Sequence, residues 1–261
     1  MKNNKIKAVF FDIDGTFYDH KNNQVHKKTI ETCEALRKNG YRVALCSGRP
    51  KEMADELHVF ELMQYDGYIG SSGGIAMDEN FNVIYQNIYS KEQLTQIFDI
   101  AKKRNLCLFS FGKYNFMTQP LNEVSERLIL DYHLAYPEVR DWKGEILSAV
   151  SVIGNEDDFQ QFDEIEGITY TSSTPYCIDF VKKGVNKDDA IRAMMKFWNL
   201  PEDDYMVFGD SHNDMKMIQN AKISVAMGNA VDEIKKAADI IAKDCSDENC
   251  IYDVVKELGM I

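Results

Sequence analysis

Two short acidic segments stand near opposite ends of the chain: Asp12-Ile13-Asp14-Gly15-Thr16 and Gly209-Asp210-Ser211-His212-Asn213-Asp214. Each follows a short apolar run. Phosphoryl transfer is mostly positioning and charge neutralisation. It needs a nucleophile, a proton donor for the leaving oxygen, a divalent cation, and a cation or dipoles for the non-bridging oxygens. The first segment can supply the first two. The carboxylate of Asp12 can attack phosphorus and form an aspartyl-phosphate. Asp14 can protonate the leaving group and later activate water. Gly15 lets the backbone turn sharply beside a ligand. Carboxylates this close repel one another, so a bound cation is expected. Magnesium suits a site of a few carboxylates, waters and a phosphate oxygen. The second segment adds Asp210 as a direct metal ligand, with Asn213 and Asp214 ordering the metal's surroundings.

Two further positions fit the same chemistry. The Ser47 hydroxyl and the backbone N–H groups beside it, Gly48 included, can hold phosphate oxygens where a helix begins. The Lys187 ammonium can neutralise both a phosphate and a cluster of aspartates. Arg49 can face the phosphate or the leaving group. Each feature alone has a plainer reading. Asp-Gly after a strand is an ordinary turn, and the acidic residues after Gly209 suit a helix N-terminus. Ser47 can be a helix cap, and Lys187 a solvated side chain. Taken together and in order, each lies after an expected strand or opens an expected helix. His212 reads best as an exposed helix-start residue. Phe109, Phe111, Tyr114 and Phe116 read as the core of a strand pair. Met194 and Met195 read as core, and Lys182-Lys183 and Lys235-Lys236 as solvated.

The elements that position these residues follow from apolar patterning. Segments 6–13, 41–46 and 68–71 read as short buried strands, with helices at 26–39 and 51–57 between them. That alternation predicts a doubly wound, mostly parallel sheet. In such sheets ligands sit beyond the carboxyl ends of the strands. Asp12, Asp14 and Ser47 all fall at such ends. A hairpin is expected over 75–86, turning at Asp78-Glu79-Asn80. A helix is expected over 91–104, with Ser90 and Gln93 as a capping box. Mixed strands and helices then run to residue 181, with strands at 106–111, 116–119, 146–153, 168–172 and 177–181 and helices at 123–132 and 157–164. Alternation resumes with a helix at 188–198, a strand at 205–208 and further short elements to the end. The architecture expected is one α/β core from 1–80 plus 182–261, carrying an α+β insertion at 81–181 as a cap for substrate specificity.

Bulk properties narrow the class. The chain has 261 residues and a formal net charge of −12, which argues against a general nucleic-acid binder and against an anionic membrane surface. Bound phosphate would therefore need a locally positive site. The 6 cysteines are scattered without a C-x-x-C pair, so neither a zinc site nor a disulfide framework is expected. Residues 1–5 run into a short apolar stretch with no signal segment. A cytoplasmic protein is expected, acting on a small phosphorylated metabolite, with no nucleic acid, membrane or obligate protein partner.

The order Asp12-x-Asp14-Gly-Thr, Ser47-Gly-Arg-Pro, Lys187, Gly209-Asp210-x-x-Asn213-Asp214 resembles the haloacid dehalogenase superfamily, and most of all its Cof-type phosphatases. The resemblance covers essentially the whole chain. It implies Asp12 as nucleophile and Asp14 as general acid and base. It also implies Ser47 and Lys187 on the phosphate, and magnesium on Asp12, the Asp14 carbonyl and Asp210, with Asn213 and Asp214 in support. The insertion follows the second motif, as in members whose α+β cap closes over the site. Phe17 and Tyr18 depart from a common Leu, Ser72-Gly73-Gly74 from a common Asn-Gly-Ala, and Ser47 from a frequent Thr. The function expected is a magnesium-dependent phosphatase of small phosphate monoesters, sugar phosphates among them. Rival readings are a phosphomutase, or a non-catalytic phospho-Asp signalling or binding module.

Overall fold

Apolar runs of four or five residues make the strands of a sheet that must be covered on both faces. The structure, a computed structural model, describes residues 6–111, 115–131 and 134–261. Tyr114, residues 1–5 and the end of the expected helix 123–132 lie outside them. The chain opens with β1 (Ala8–Phe11), α1 (Lys27–Lys38), β2 (Arg42–Cys46), α2 (Lys51–Asp55), β3 (Gly67–Gly70), β4 (Ile75–Asp78) and β5 (Val83–Gln86). It continues with α3 (Lys91–Arg104), β6 (Cys107–Phe111), β7 (Phe116–Met117), α4 (Glu123–Asp131), β8 (Glu138–Val139), β9 (Ala149–Ile153), α5 (Glu156–Phe159), β10 (Ile168–Thr174) and β11 (Cys177–Lys182). Last come α6 (Lys187–Phe197), β12 (Tyr205–Gly209), α7 (Met215–Asn220), β13 (Ile223–Ala226), α8 (Asp232–Ala237), β14 (Ile240–Ile241) and α9 (Cys250–Glu257).

An 8-stranded sheet runs in the order β14-β13-β12-β1-β2-β3-β4-β5. It is parallel from β14 to β3, and β4 and β5 add an antiparallel hairpin edge. The strand β1 is central, so both its faces are buried, which is why it reads as a continuous apolar run. Phe10 packs into the cluster holding Ile191, Met194, Met195 and Val207. Phe11 stacks on Phe208 with ring centroids 4.8 Å apart. The β4–β5 turn is tied by Asp78, whose carboxylate accepts from the Asn80 and Asn82 backbone N–H groups at 2.9 and 2.8 Å.

The second sheet has 6 strands, ordered β10-β11-β9-β6-β7-β8. Its pairs are antiparallel except β7 with β8. Alternation along β6 sends Leu108 into one apolar cluster, and Cys107 and Phe109 into another. Phe109 and Phe116 are therefore core. The α3 helix starts at the expected capping box: Ser90 Oγ accepts from the Gln93 backbone N–H at 3.2 Å, and Gln93 Oε1 from that of Ser90 at 2.9 Å.

Contacts divide the chain into two compact units, Met1–Gly48 with Val59–Gln86 and Asn186–Ile261, and Arg49–His58 with Asn87–Val185. The boundaries fall at 86/87 and 185/186 rather than the expected 80/81 and 181/182, and residues 49–58 leave the first unit. The strand β5 stays in the first unit because its backbone pairs with β4. Residues 49–58 join the second because Met53 packs on its apolar cluster and Glu56 accepts a hydrogen bond from the Ala135 backbone N–H at 2.9 Å. Several elements are shorter than expected: the 6–13, 51–57 and 116–119 segments shrink to Ala8–Phe11, Lys51–Asp55 and Phe116–Met117. The 157–164 helix stops at Phe159 and continues as a tighter turn over Gln160–Phe162, and the 146–153 strand begins only at Ala149, with Ile146 exposed. Among the described residues no helix is long and apolar enough to cross a membrane. All six cysteines are buried free thiols.

Candidate active site

Strand register brings the two acidic segments together. In β1 Phe11 lies beside Phe208 of β12 on one flank and Leu45 of β2 on the other. Both neighbours run parallel to β1, so the residues just past these positions share one end of the sheet. Those residues are Asp12, the Gly209-Asp210 pair and the Cys46-Ser47 pair. The Asp12 backbone N–H reaches the Phe208 carbonyl at 3.0 Å, which holds the turn against β12.

Lys187, from the first turn of α6, closes the group. Its Nζ lies 2.5 Å from Asp12 Oδ1 and 2.6 Å from Asp214 Oδ1. The side chain is 0% exposed, which rules out a solvated surface lysine. Asp214 is also fully buried, and its Oδ2 accepts from the Asp210 and Ser211 backbone N–H groups at 2.9 and 3.0 Å. It is at once the cap of its turn and the partner of Lys187, so the two readings of this segment hold together. Asp210 Oδ1 accepts from Thr16 Oγ1 at 3.0 Å, which ties the second acidic segment to the first.

Charge in this cluster is unbalanced. Burial raises the Asp12 carboxyl well above its ordinary range; the Lys187 ammonium opposes this, while Asp214, Asp210 and Asp14 add to it. Burial, and then the Asp214 charge, push Asp210 up to about 7. Lys187 is held protonated: burial works against its charge, but Asp12 and Asp214 outweigh that. Burial comes first for both acids and the neighbouring carboxylates add to it, so the Lys187 ammonium only partly offsets the acidic groups around it. Asp12, Asp210 and Asp214 each offer a carboxylate oxygen within 4.8 Å of the others. An all-oxygen, carboxylate-rich donor set suits a hard divalent cation. Because both Asp214 oxygens already have partners, Asp12 and Asp210 are the better placed to bind such an ion.

Gly15 is required where it stands. Its φ is +79°, and a Cβ there would meet Asp210 Oδ2 at 2.5 Å. The Gly15 carbonyl accepts from Asn229 Nδ2 at 2.7 Å, and Asn229 Oδ1 in turn accepts from the Cys245 backbone N–H at 2.9 Å. Asn229 escaped the sequence reading; its one signal is its place just past β13, beside Gly228. Gly73 carries no signal in the sequence beyond its place in Ser72-Gly73-Gly74. A Cβ on it would meet the Asn186 carbonyl oxygen at 2.1 Å, so the backbone after β3 presses on the residue that caps α6 and thereby sets where Lys187 emerges.

The remaining expected site residues are distributed as follows. Ser47 is fully buried just past β2, and it is not the cap of α2, which begins beyond Pro50. A Cβ on Gly48 would stand 3.3 Å from Asn213 Nδ2 and 3.4 Å from Ser72 Oγ, so its bare backbone faces those side chains. Asn213 Oδ1 accepts from Ser211 Oγ at 2.8 Å. Asp14 lies on the turn after β1 with its Oδ1 2.7 Å from His20 Nε2, a partner the sequence reading did not single out. Arg49 falls in the second unit, near the Met53 carbonyl. His212 is exposed, as expected.

Comparison with known proteins bears on the family and the fold. The family model described as haloacid dehalogenase-like hydrolase matches residues 9–255. The Bacillus subtilis protein YkrA is 28% identical over 98% of this chain and 98% of its own. The 5-amino-6-(5-phospho-D-ribitylamino)uracil phosphatase YcsE of Bacillus subtilis is 25% identical over 90% of this chain and 89% of its own. Among solved structures, the sugar phosphatase BT4131, of haloacid dehalogenase subclass IIB, superposes with a TM-score of 0.83 at 26% identity, covering 98% of this chain and 100% of that one.

Proposed function

The chain belongs to the haloacid dehalogenase-like hydrolases, and on that premise we propose that it is a magnesium-dependent phosphatase that cleaves small organic phosphate monoesters through a phospho-aspartate on Asp12. The observation that carries this reading is the buried contact of Lys187 with both Asp12 and Asp214, beside Asp210, in a cluster short of positive charge. A structural ion pair needs no such deficit. A site that receives a cation and a phosphate dianion does.

In this reading Asp12, the Asp14 carbonyl and Asp210 hold magnesium, and Asn213 and Asp214 order the loop that carries Asp210. The ion supplies charge neutralisation for the phosphate oxygens when bound. Lys187 neutralises charge on Asp12 and on the incoming phosphate. The Ser47 hydroxyl and the Gly48 N–H hold non-bridging oxygens. An Asp12 oxygen forms a bond to phosphorus as the ester P–O bond breaks, and Asp14 gives its proton to the departing oxygen. Asp14 then takes a proton from water, whose oxygen attacks phosphorus and releases Asp12. Likeness to a sugar phosphatase supports sugar phosphates as the substrate class. The inserted second unit is assigned the choice of leaving group.

Purified protein with magnesium and 4-nitrophenyl phosphate is expected to release phosphate, and Asp12→Asn is expected to abolish release. Turnover by that variant equal to the parent's would end the reading. A screen of a few dozen metabolite phosphates identifies the leaving group.

A further inference from the structure

Asp14 is the one group in the proposed mechanism that must give up and recover a proton, and its carboxyl has to stay aimed at the leaving oxygen. We infer that His20 is the positioning residue that holds it, with Tyr18 as the support behind His20; this rests on the reading of Asp14 as general acid. His20 Nε2 lies 2.7 Å from Asp14 Oδ1. An ionised carboxylate only accepts hydrogen bonds, so the ring nitrogen facing it carries the hydrogen. The two side chains are 37% and 36% exposed, an openness in which an ion pair contributes little to folding. The contact is therefore poorly explained as a stability device.

The segment that presents His20 is fixed on both sides. Tyr18 is buried, and its backbone N–H reaches the Ile13 carbonyl at 2.8 Å. The His20 ring stands edge-on to the Tyr18 ring, with centroids 5.0 Å apart and planes at 62°. On the other side Asp19 is buried. It accepts from the Lys21 backbone N–H at 2.9 Å and from Asn22 Nδ2 at 2.6 Å, and its own N–H reaches the Gln24 carbonyl at 2.8 Å. Lys21 Nζ is anchored 3.1 Å from Asp244 Oδ2. A ring clamped in this way has little freedom to turn from Asp14. A leucine in place of Tyr18 can fill the same buried space but offers no ring against which an imidazole can lean.

The consequence is geometric. In this role His20 keeps its contact with Oδ1 while the Asp14 carboxyl delivers its proton to the leaving group. As the Asp12–phosphorus bond forms, the ester P–O electron pair goes to the leaving oxygen, and the Asp14 proton goes with it. His20 exchanges no proton; it fixes the carboxyl's rotation.

Leaving groups separate this role from a structural one. 2,4-Dinitrophenolate departs without a proton, whereas phenolate gains from one. In His20→Ala, kcat/KM for phenyl phosphate is expected to fall about tenfold, while kcat/KM for 2,4-dinitrophenyl phosphate stays within about twofold. His20→Gln keeps a donor and is expected to recover part of the loss, and Tyr18→Leu to lie between the parent and His20→Ala. Equal losses on the two esters, or no loss on either, would overturn the inference. Asp14→Asn is the control. If it shows no leaving-group dependence, the acid role of Asp14 is wrong. If it does and His20→Ala does not, only the role of His20 is wrong. A parent protein that hydrolyses neither ester ends the phosphatase reading itself. Thermal melting of each variant checks that it folds.

Discussion

Two ion clusters lie at opposite ends of the same parallel strands, and they are built differently. Near the amino ends, buried Asp66 accepts from Arg37 Nε at 3.0 Å, from Arg42 Nη1 at 2.9 Å and from the Val43 backbone N–H at 2.9 Å. One carboxylate meets two guanidinium groups, and its charge is fully answered. At the carboxyl ends, Asp12 and Asp214 share the ammonium of Lys187, with Asp210 beside them. The first arrangement closes a fold. The second leaves a charge deficit in a buried place, which costs stability and persists only if something else fills it. That asymmetry, more than the presence of buried charge, separates a structural cluster from a proposed catalytic one.

The sharpest test of the contrast is Lys187→Met. Phosphate release is expected to drop about a thousandfold. The metal-free protein should lose about 3–5 kcal/mol in urea unfolding, because Asp12 and Asp214 are left facing each other unpaired. Retained activity would break the comparison. Asp210→Asn is expected to lower activity about a hundredfold and to weaken magnesium binding, measured by calorimetry.

The same variant tests the pH behaviour. The folded protein holds the Asp210 proton up to about pH 7, against an ordinary value of 3.8. The stability this contributes is complete below the unfolded value and is lost as pH rises through the folded one. Metal-free protein should therefore lose about 1–3 kcal/mol between pH 4 and pH 7. Asp210→Asn should flatten the profile, and magnesium should restore stability at the alkaline end.

Gly15→Ala is a smaller perturbation. It places a Cβ against Asp210 Oδ2 at a left-handed backbone position, costing about 1–2 kcal/mol in stability and about tenfold in rate. Asp66→Ala should move activity least, within about twofold, while lowering unfolding free energy by about 2 kcal/mol. A large loss of turnover in that variant would erase the distinction between the two ends.

Much of the fold was legible because its signals are local. The Lys91–Arg104 helix has its capping box and its Leu94, Ile97, Ala101 stripe within one short window. The strands β1, β2 and β12 give way to polar residues at Asp12, at Ser47-Gly48 and at Asp210. The strand β8, two residues long with both exposed, has no pattern to read, and it exists only because β7 is alongside. Arg49 follows Gly48 directly in sequence, yet the two fall in different units, because α2 packs by Met53 rather than by its neighbours in the chain. His20 escaped notice because a lone histidine on a loop carries no signal until Asp14 is seen beside it.

From the sequence alone came the residue types able to do the chemistry, their order along the chain and the strand ends that carry them, since side-chain chemistry and hydrophobic period are properties of short segments. Tertiary structure decided which of those residues meet. Lys187 is buried against Asp12 although 175 positions separate them. Burial and the field of distant charges depend on the placement of every strand in the sheet, and they turn an ordinary lysine and a set of aspartates into one electrostatic unit.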